Sequence, residues 1–272
     1  MKTKSSKEAL LASAKEFPSI FYKDETAFPL LSLYRQTLLT VVDFKKTDSV
    51  LEVGSACGVL SNYIAPRVQD LTCLEENPTF NQVNLLINKD FANIEVLPSS
   101  LHSFRSKKRF DKIFLIGVFD EMGDDTTTQQ ETMRLAEKLL KKSGKIYIAV
   151  DNKFSMRSFA GVPVGEQNKA FTGLENNHFG MAKGQLVSLL KDSGFAIEMF
   201  YYPFPDYMYP SSIYSDAYLP KVGQLRNLKS AYHKERVVTF DEEKAFDNAI
   251  ASGEFSTFAN SYFVVASKEK EQ

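Results

Sequence analysis

The residues from Glu52 to Gly58 have the types and spacing of a loop that binds a small ligand closely. Glu52 lies near the end of a short apolar run, and Gly54 and Gly58 follow it. Glycines remove side chains where a backbone must turn tightly or pass close to a ligand. Dinucleotide-binding loops instead have the pattern Gly-x-Gly-x-x-Gly, with the pyrophosphate at a helix N-terminus. The Gly-x-x-x-Gly spacing therefore fits a phosphate-bearing cofactor less well.

Short apolar runs alternate with segments of helical period and predict the elements that position this loop. The runs are residues 49–53, 71–74, 94–97, 112–116 and 145–150. Such alternation predicts parallel strands joined by right-handed crossovers, with helices on both faces of the sheet. The loop then follows the first strand and leads into a helix over residues 61–68, which Pro66 interrupts. Residues 9–42 are predicted to be mainly helical.

The loop resembles motif I of the class I S-adenosylmethionine-dependent methyltransferases, and the run Leu71-Thr72-Cys73-Leu74-Glu75 resembles the end of that family's second strand. The resemblance implies S-adenosylmethionine as the cofactor. It implies that an acidic residue at the end of the second strand holds the ribose hydroxyls, since a carboxylate can accept two hydrogen bonds at once. Glu75 is preferred to Glu76 because the alternation of the strand ends on it. The residues implied to lie beside the cofactor are Glu52, Gly54, Ser55, Gly58, Glu75, Ser99, Ser100 and Gly117.

The same resemblance implies an α/β fold with a doubly wound, mostly parallel sheet of seven strands, the last strand antiparallel. Residues 1–48 are predicted to form an N-terminal helical lid, and residues 49–202 with 260–272 the methyltransferase core. Residues 203–259 are predicted to be an inserted cap between the last two strands, because they far exceed an ordinary hairpin loop. The tyrosines of this region favour a sugar-stacking platform and core packing about equally.

A narrower resemblance suggests the acceptor. Five stretches carry it: Asp151-Asn152-Lys153-Phe154-Ser155-Met156-Arg157-Ser158-Phe159-Ala160-Gly161, Phe171-Thr172-Gly173-Leu174-Glu175, Tyr202-Pro203-Phe204-Pro205-Asp206-Tyr207, Ile213-Tyr214-Ser215-Asp216 and Phe258-Ala259-Asn260-Ser261. They are similar to a bacterial methyltransferase subgroup associated with surface-glycan biosynthesis, which implies O-methylation of a sugar or glycan hydroxyl. A fold or family does not fix a substrate. Two alternatives stay open: methylation of a small metabolite or natural product at oxygen or nitrogen, and a non-catalytic S-adenosylmethionine-binding module.

His178 is the first candidate for a general base, because it follows the fifth strand in the segment expected to border the acceptor. Methyl transfer to a hydroxyl releases a proton, and a histidine with a pKa near neutrality can accept it. An ordinary loop histidine is an equally good interpretation. Asp151 and Glu175 are candidates for orienting the acceptor or assisting proton removal, although either could be a helix cap or a salt-bridge partner.

Composition excludes several other classes of function. The 33 basic and 34 acidic residues give a net charge of −1, so no overall field attracts a nucleic acid. The two cysteines, Cys57 and Cys73, form no metal-binding pattern, and Cys57 is predicted to be a small packing residue. No apolar run approaches the length of a membrane span, and the N-terminus lacks the apolar segment of a secretory signal. These features predict a cytoplasmic protein without a metal and leave a homo-oligomer open.

Overall fold

The computed structural model describes residues 30–120, 122, 125–163, 170–171, 174, 179–226 and 238–269. The chain divides into two compact units. The first unit is Met1–Leu115 with Leu135–Ile146, and the second is Ile116–Arg134 with Tyr147–Gln272.

Eight strands form one mixed sheet in the order β3-β2-β1-β4-β5-β8-β6-β7. Their bounds are β1 Ser49–Val53, β2 Asp70–Leu74, β3 Ile94–Leu97, β4 Phe110–Ile116, β5 Leu140–Asp151, β6 Phe195–Phe204, β7 Ser212–Ser215 and β8 Ser261–Lys268. β1 pairs in parallel with β2 and β4, and β2 pairs in parallel with β3. β6 pairs antiparallel with β7 and β8. The predicted α/β fold, with a mostly parallel sheet and an antiparallel last strand, is confirmed.

The predicted count of seven strands is wrong, because the insert contributes β7. Its four residues pair with Tyr201–Phe204 at the end of β6. All four residues of β7 are only half-buried. A strand this short and this exposed lacks the continuous apolar pattern by which sequence reasoning finds buried strands.

Local signals in the sequence mark the ends of some of the helices. Their bounds are α1 Val59–Ile64, α2 Pro78–Ile87, α3 Thr126–Leu139, α4 Met156–Phe159, α5 Lys183–Asp192, α6 Glu242–Ala251 and α7 Phe255–Phe258. Asn77 caps α2 by accepting hydrogen bonds from the Thr79 and Phe80 amides, and Pro78 occupies the first turn, where no amide donor is needed. Pro66 falls in a 3₁₀ turn, Ala65–Arg67, that follows α1, so the helix ends earlier than predicted.

The predicted N-terminal helices lie mostly outside the described residues. Within residues 30–48 the structure has one 3₁₀ helix, Leu33–Val41, which Ser32 caps through the Tyr34 amide. Leu38 and Leu39 of this helix are fully buried. None of the described helices is long and apolar enough to cross a membrane.

The aromatic residues of the second unit form a packed core. Tyr202 of β6 makes edge-to-face contacts with Phe255 and Tyr262, with ring centroids 5.6 Å and 6.1 Å apart. Tyr214 of β7 packs on Phe255 in the same way at 6.0 Å. For these tyrosines the packing interpretation is confirmed, because their rings meet other rings within the core.

Candidate functional site

The loop after β1 is held by backbone hydrogen bonds to the end of β2. The amides of Gly54 and Ser55 both donate to the Leu74 carbonyl, at 2.9 Å and 3.0 Å, and the Gly58 amide donates to the Ser55 carbonyl. Ala56 has a φ of +47°, which is unusual for a residue with a side chain. The loop is therefore a tight turn in which several backbone groups have fixed directions before any ligand binds.

Gly58 is required by its neighbours on α2. Its φ is +80°, and a Cβ there would lie only 2.5 Å from Asn84 Cγ and from Asn88 Nδ2. Another residue would be strained by the backbone angle and would collide with both amides. Gly58 thus allows the Asn84 and Asn88 side chains to approach the loop closely. This reason for having a glycine is different from direct contact between the glycine and a ligand.

A buried polar network surrounds this turn. Asn84 donates to the Ser55 hydroxyl at 2.9 Å, and Asn88 donates to the Gly58 carbonyl at 3.0 Å. Ser61 donates to Glu52 Oε2 at 2.5 Å. Asn84, Asn88 and Ser61 are at most 1% exposed, so these bonds are made without competition from bulk water.

Glu52 is the acidic member of this network and is 2% exposed. Besides Ser61, the Cys73 thiol faces Glu52 Oε2 at 3.6 Å. Burial raises the pKa of the Glu52 carboxyl to about 7, although the Ser61 hydrogen bond and the Arg35 charge oppose the shift. The carboxyl therefore changes charge near neutral pH.

Glu52→Gln is expected to become increasingly stabilising, relative to the wild type, as the pH rises. The folded carboxyl titrates at about 7 and its ordinary pKa is 4.5, so the folded chain holds the proton more tightly than the unfolded chain. The stability from that proton is complete below the unfolded pKa and is lost as the pH rises through about 7. At 1.36 kcal/mol per pKa unit, the full loss is about 3 kcal/mol. Urea unfolding of both proteins between about pH 4 and pH 8 measures the difference; a difference independent of pH would contradict the assignment.

Glu75 joins the loop to the start of α2. Its Oε2 accepts the Ala56 amide at 2.7 Å, and its Oε1 accepts the Asn77 amide at 2.8 Å. A carboxylate offers about four acceptor positions, so about two remain for a ligand. The side chain is half-buried. Glu75 therefore lies directly after β2 with fixed geometry, and it can still accept hydrogen bonds from hydroxyl groups.

Ser99 and Ser100 follow β3 in a cluster of hydroxyls. The Ser99 amide donates to the Leu97 carbonyl at 2.9 Å, and both serine hydroxyls lie 3.0 Å from the hydroxyl of Ser103. These contacts supply each hydroxyl with a partner inside the turn. An adenine contact by either residue stays a prediction.

Gly117, at the end of β4, lies against a tyrosine of the insert. Its φ is +76°, and a Cβ there would lie 2.8 Å from the Tyr207 hydroxyl. The Gly117 amide donates to the Ala149 carbonyl at 2.9 Å. The absence of a side chain at Gly117 therefore makes room for Tyr207.

Asp120 connects three segments of the second unit. Its Oδ1 accepts the Asp151 amide at 2.7 Å, and its Oδ2 accepts the Tyr207 hydroxyl. The Asp120 carbonyl accepts the Gly180 amide at 2.9 Å. Burial, and then the neighbouring charge of Asp151, raise the pKa of Asp120 well above its usual value. The neutral acid is thereby favoured at Asp120.

Asp151 and Asp206 share one arginine. Arg157 Nη2 lies 2.6 Å from Asp151 Oδ1, and Arg157 Nη1 lies 3.1 Å from Asp206 Oδ2; all three side chains are at most 9% exposed. Burial raises the pKa of Asp151 to about 6, and the Arg157 charge limits that rise. The salt-bridge interpretation of Asp151 is therefore confirmed. We call Asp120, Asp151, Arg157, Asp206 and Tyr207 the buried carboxylate cluster.

Sequence reasoning placed several of these residues and missed others. Asp151 lies in the buried carboxylate cluster, whereas His178 and Glu175 lie outside the described residues. Asn84 and Asn88 were missed, although their spacing of one helical turn is a signal that both face the same element. Arg157 and Tyr207 were noted only as parts of a resemblance. No local pattern in the sequence indicates that Arg157 contacts Asp151 or that Tyr207 contacts Asp120.

The cysteines behave as packing residues. Cys57 is fully buried and packs with Val83 and Ile87 of α2, as predicted. Cys73 is also buried and is not part of a disulfide bond, and burial raises the pKa of its thiol well above its ordinary value. Within the part of the chain that the structure describes, no group of three or more His, Cys, Asp or Glu side chains could hold a metal ion.

No family model and no curated protein matches the chain. Solved structures do match it. A proposed S-adenosylmethionine-dependent methyltransferase from Listeria monocytogenes is 10% identical, with a TM-score of 0.55, over 90% of this chain and 99% of that one. The CcbJ methyltransferase from Streptomyces caelestis is 12% identical, with a TM-score of 0.54, over 87% and 90%. A proposed methyltransferase from Bacillus halodurans is 15% identical, with a TM-score of 0.50, over 87% and 99%. The chain therefore has the Rossmann-like α/β fold of these methyltransferases.

Proposed function

We propose that this chain is an S-adenosylmethionine-dependent methyltransferase. The observation that carries the proposal is the bridge between Glu75 and the Ala56 amide, which joins the end of β2 to the glycine loop after β1. These are the two places where the motif resemblance puts the ribose and the amino-acid portion of the cofactor. The methyltransferase fold of the matched structures adds to this argument.

The residues of the first unit fit such a cofactor. The acceptor positions left on Glu75 suit the two ribose hydroxyls, and the glycine loop offers backbone groups to the amino-acid portion. Glu52 acts on the cofactor indirectly, since its described hydrogen bonds are with Ser61 and Cys73. When bound, the cofactor supplies a methyl group already activated by its sulfonium charge. The chain then has to align the acceptor and exclude water.

We further propose a sugar or glycan hydroxyl as the acceptor. The stretches that resemble glycan-associated methyltransferases contain Asp151, Arg157, Asp206 and Tyr207, four members of the buried carboxylate cluster. The cluster holds the segments after β5 and β6 to each other through Arg157. In this proposal Asp151 orients the acceptor segment through that ion pair, while His178 receives the hydroxyl proton and Glu175 helps to place the acceptor.

Binding and transfer assays test the function in order. Calorimetry with S-adenosylhomocysteine is expected to show binding, and absence of binding at millimolar ligand would overturn the proposal. Transfer of a labelled methyl group is then measured with nucleotide sugars, glycans and small metabolites. Transfer to a metabolite alone would favour the alternative substrate class, and binding without any acceptor would favour a non-catalytic module.

His178→Ala is expected to slow turnover by about 100-fold while leaving the Kd of S-adenosylhomocysteine unchanged, as general-base catalysis contributes about 10²–10⁴-fold. The pH profile of kcat should also lose its acidic limb, which reports the protonation of the base. His102→Ala is the matched control, because it removes an imidazole that lies in the first unit, outside the segment expected to border the acceptor. Turnover at the wild-type rate in His178→Ala would remove the histidine from the mechanism.

A further inference from the structure

We propose that Asn84 of α2 and Asn88, the residue that caps the end of α2, are positioning residues that fix the glycine loop for the amino-acid portion of the cofactor. The inference rests on the proposed function, since it assigns the loop to that portion. Neither asparagine belongs to the glycine motif, and both act on the cofactor through the loop.

Asn84 fixes the loop by its side-chain amide. The Nδ2 group donates to the Ser55 hydroxyl at 2.9 Å and lies 3.4 Å from the Ser61 hydroxyl, while Oδ1 accepts from Asn88 at 2.8 Å. One side chain thus connects the start of the loop, the helix after it and the second asparagine.

Asn88 fixes the other end of the loop. Its Nδ2 donates to the Gly58 carbonyl at 3.0 Å, and its Oδ1 accepts the Asn62 side-chain amide at 3.1 Å. Gly58 is the N-cap residue directly before α1, so this bond sets where the helix starts relative to the turn. Because residues 84 and 88 are one helical turn apart, α2 presents the two amides side by side.

The two asparagines are fully enclosed, at 0% and 1% exposed. Truncating either one leaves buried donors and acceptors unpaired, because bulk water has no access to replace it. Gly58 adds a steric consequence: the amides fill the volume that a Cβ would occupy, so removing an amide opens space into which the loop can relax. Loss of either amide should therefore change the direction of the loop's backbone groups.

The same helix also reaches Glu75, but by different atoms. The Asn77 amide donates to Glu75 Oε1, and Asn81 Nδ2 lies 3.4 Å from the Glu75 carbonyl. Those contacts lie at the start of α2 and do not involve residues 84 and 88. A variant at Asn84 should therefore disturb the amino-acid end of the site and spare the ribose end.

The experiment compares two ligands by calorimetry: S-adenosylhomocysteine, and 5′-methylthioadenosine, which has the adenosine thioether without the amino-acid portion. For Asn84→Ala we expect the Kd of S-adenosylhomocysteine to rise about tenfold or more, as for a lost buried hydrogen bond. The Kd of methylthioadenosine should change less than about threefold. A variant that only destabilised the fold would leave the ratio of the two Kd values unchanged.

Asn88→Asp is the second variant. It keeps the shape of the side chain and removes the donor to Gly58, so it tests the same idea if Asn84→Ala fails to fold. Asn93→Ala is the matched control, since Asn93 also donates its amide to backbone carbonyls, those of Ala65 and Val68. The control should lower Tm and leave the ratio of Kd values as in the wild type.

The outcomes separate this inference from the proposed function. If the wild-type chain does not bind S-adenosylhomocysteine, the function fails. If the wild type binds it and the folded Asn84 and Asn88 variants weaken both ligands equally, or neither, the positioning role is overturned.

Discussion

Glu75→Ala is expected to raise the Kd of S-adenosylhomocysteine by about 100-fold, as two lost charge-assisted hydrogen bonds of about 1.5 kcal/mol each require. The variant removes the proposed acceptor for the ribose hydroxyls and also the acceptor of the Ala56 and Asn77 amides. The folded state should survive with a free energy of unfolding lower by about 1–3 kcal/mol. Calorimetry and urea unfolding measure the two effects.

Glu76→Ala provides the matched control, because Glu76 is the adjacent carboxylate and is exposed. It should bind S-adenosylhomocysteine like the wild type. An unchanged Kd in Glu75→Ala, or an equal loss in the two variants, would show that the ribose contact lies elsewhere.

Arg157→Leu is expected to lower the free energy of unfolding by about 3–5 kcal/mol, the usual cost of removing one partner of a buried ion pair. Asp151 and Asp206 would then be two buried carboxylates without their shared cation. The Arg157 charge lowers the pKa of Asp151, so its removal raises that pKa beyond the present value of about 6. The destabilisation should therefore grow as the pH rises above that value, where ionised carboxylates are hardest to bury.

Arg226→Leu is the matched control, because it removes an ion pair in which the arginine is exposed to solvent. Arg226 Nε lies 2.6 Å from Asp247 Oδ2, and the arginine side chain is 59% exposed. The loss there should be at most about 1 kcal/mol. Equal losses at the two sites, measured by urea unfolding at neutral pH, would contradict the view that burial makes the Arg157 pairs costly to break.

The sequence predicts the first unit well because each of its strands is marked locally. All five residues of β1 are buried, and three of them, Val50, Leu51 and Val53, give the sequence a short apolar run just before a glycine. The place of Glu75 follows from the same pattern, since an acidic residue directly after a buried strand is recognisable without any tertiary contact. The mixed α/β sheet was predictable to this extent.

The missed features depend on contacts between distant residues. Tyr207 donates a hydrogen bond to Asp120, which is 87 positions away in the sequence, and no local pattern predicts that pair. β7 depends on its register with β6. Gly144 looks like a helix stop, but it lies within β5, and α3 ends at Leu139. In these three places the structure is determined by tertiary packing, because the local sequence signals are ambiguous.

The two outermost strands, β3 and β7, form the edges of the sheet. Each has only four residues; β3 carries the exposed Glu95 and β7 begins and ends with serine. Short edge strands with charged or polar residues are poor templates for strand addition, whereas long apolar edges promote aggregation. Each edge of the sheet therefore resists continuation into a second molecule, which should keep the chain from assembling through its strands at high concentration.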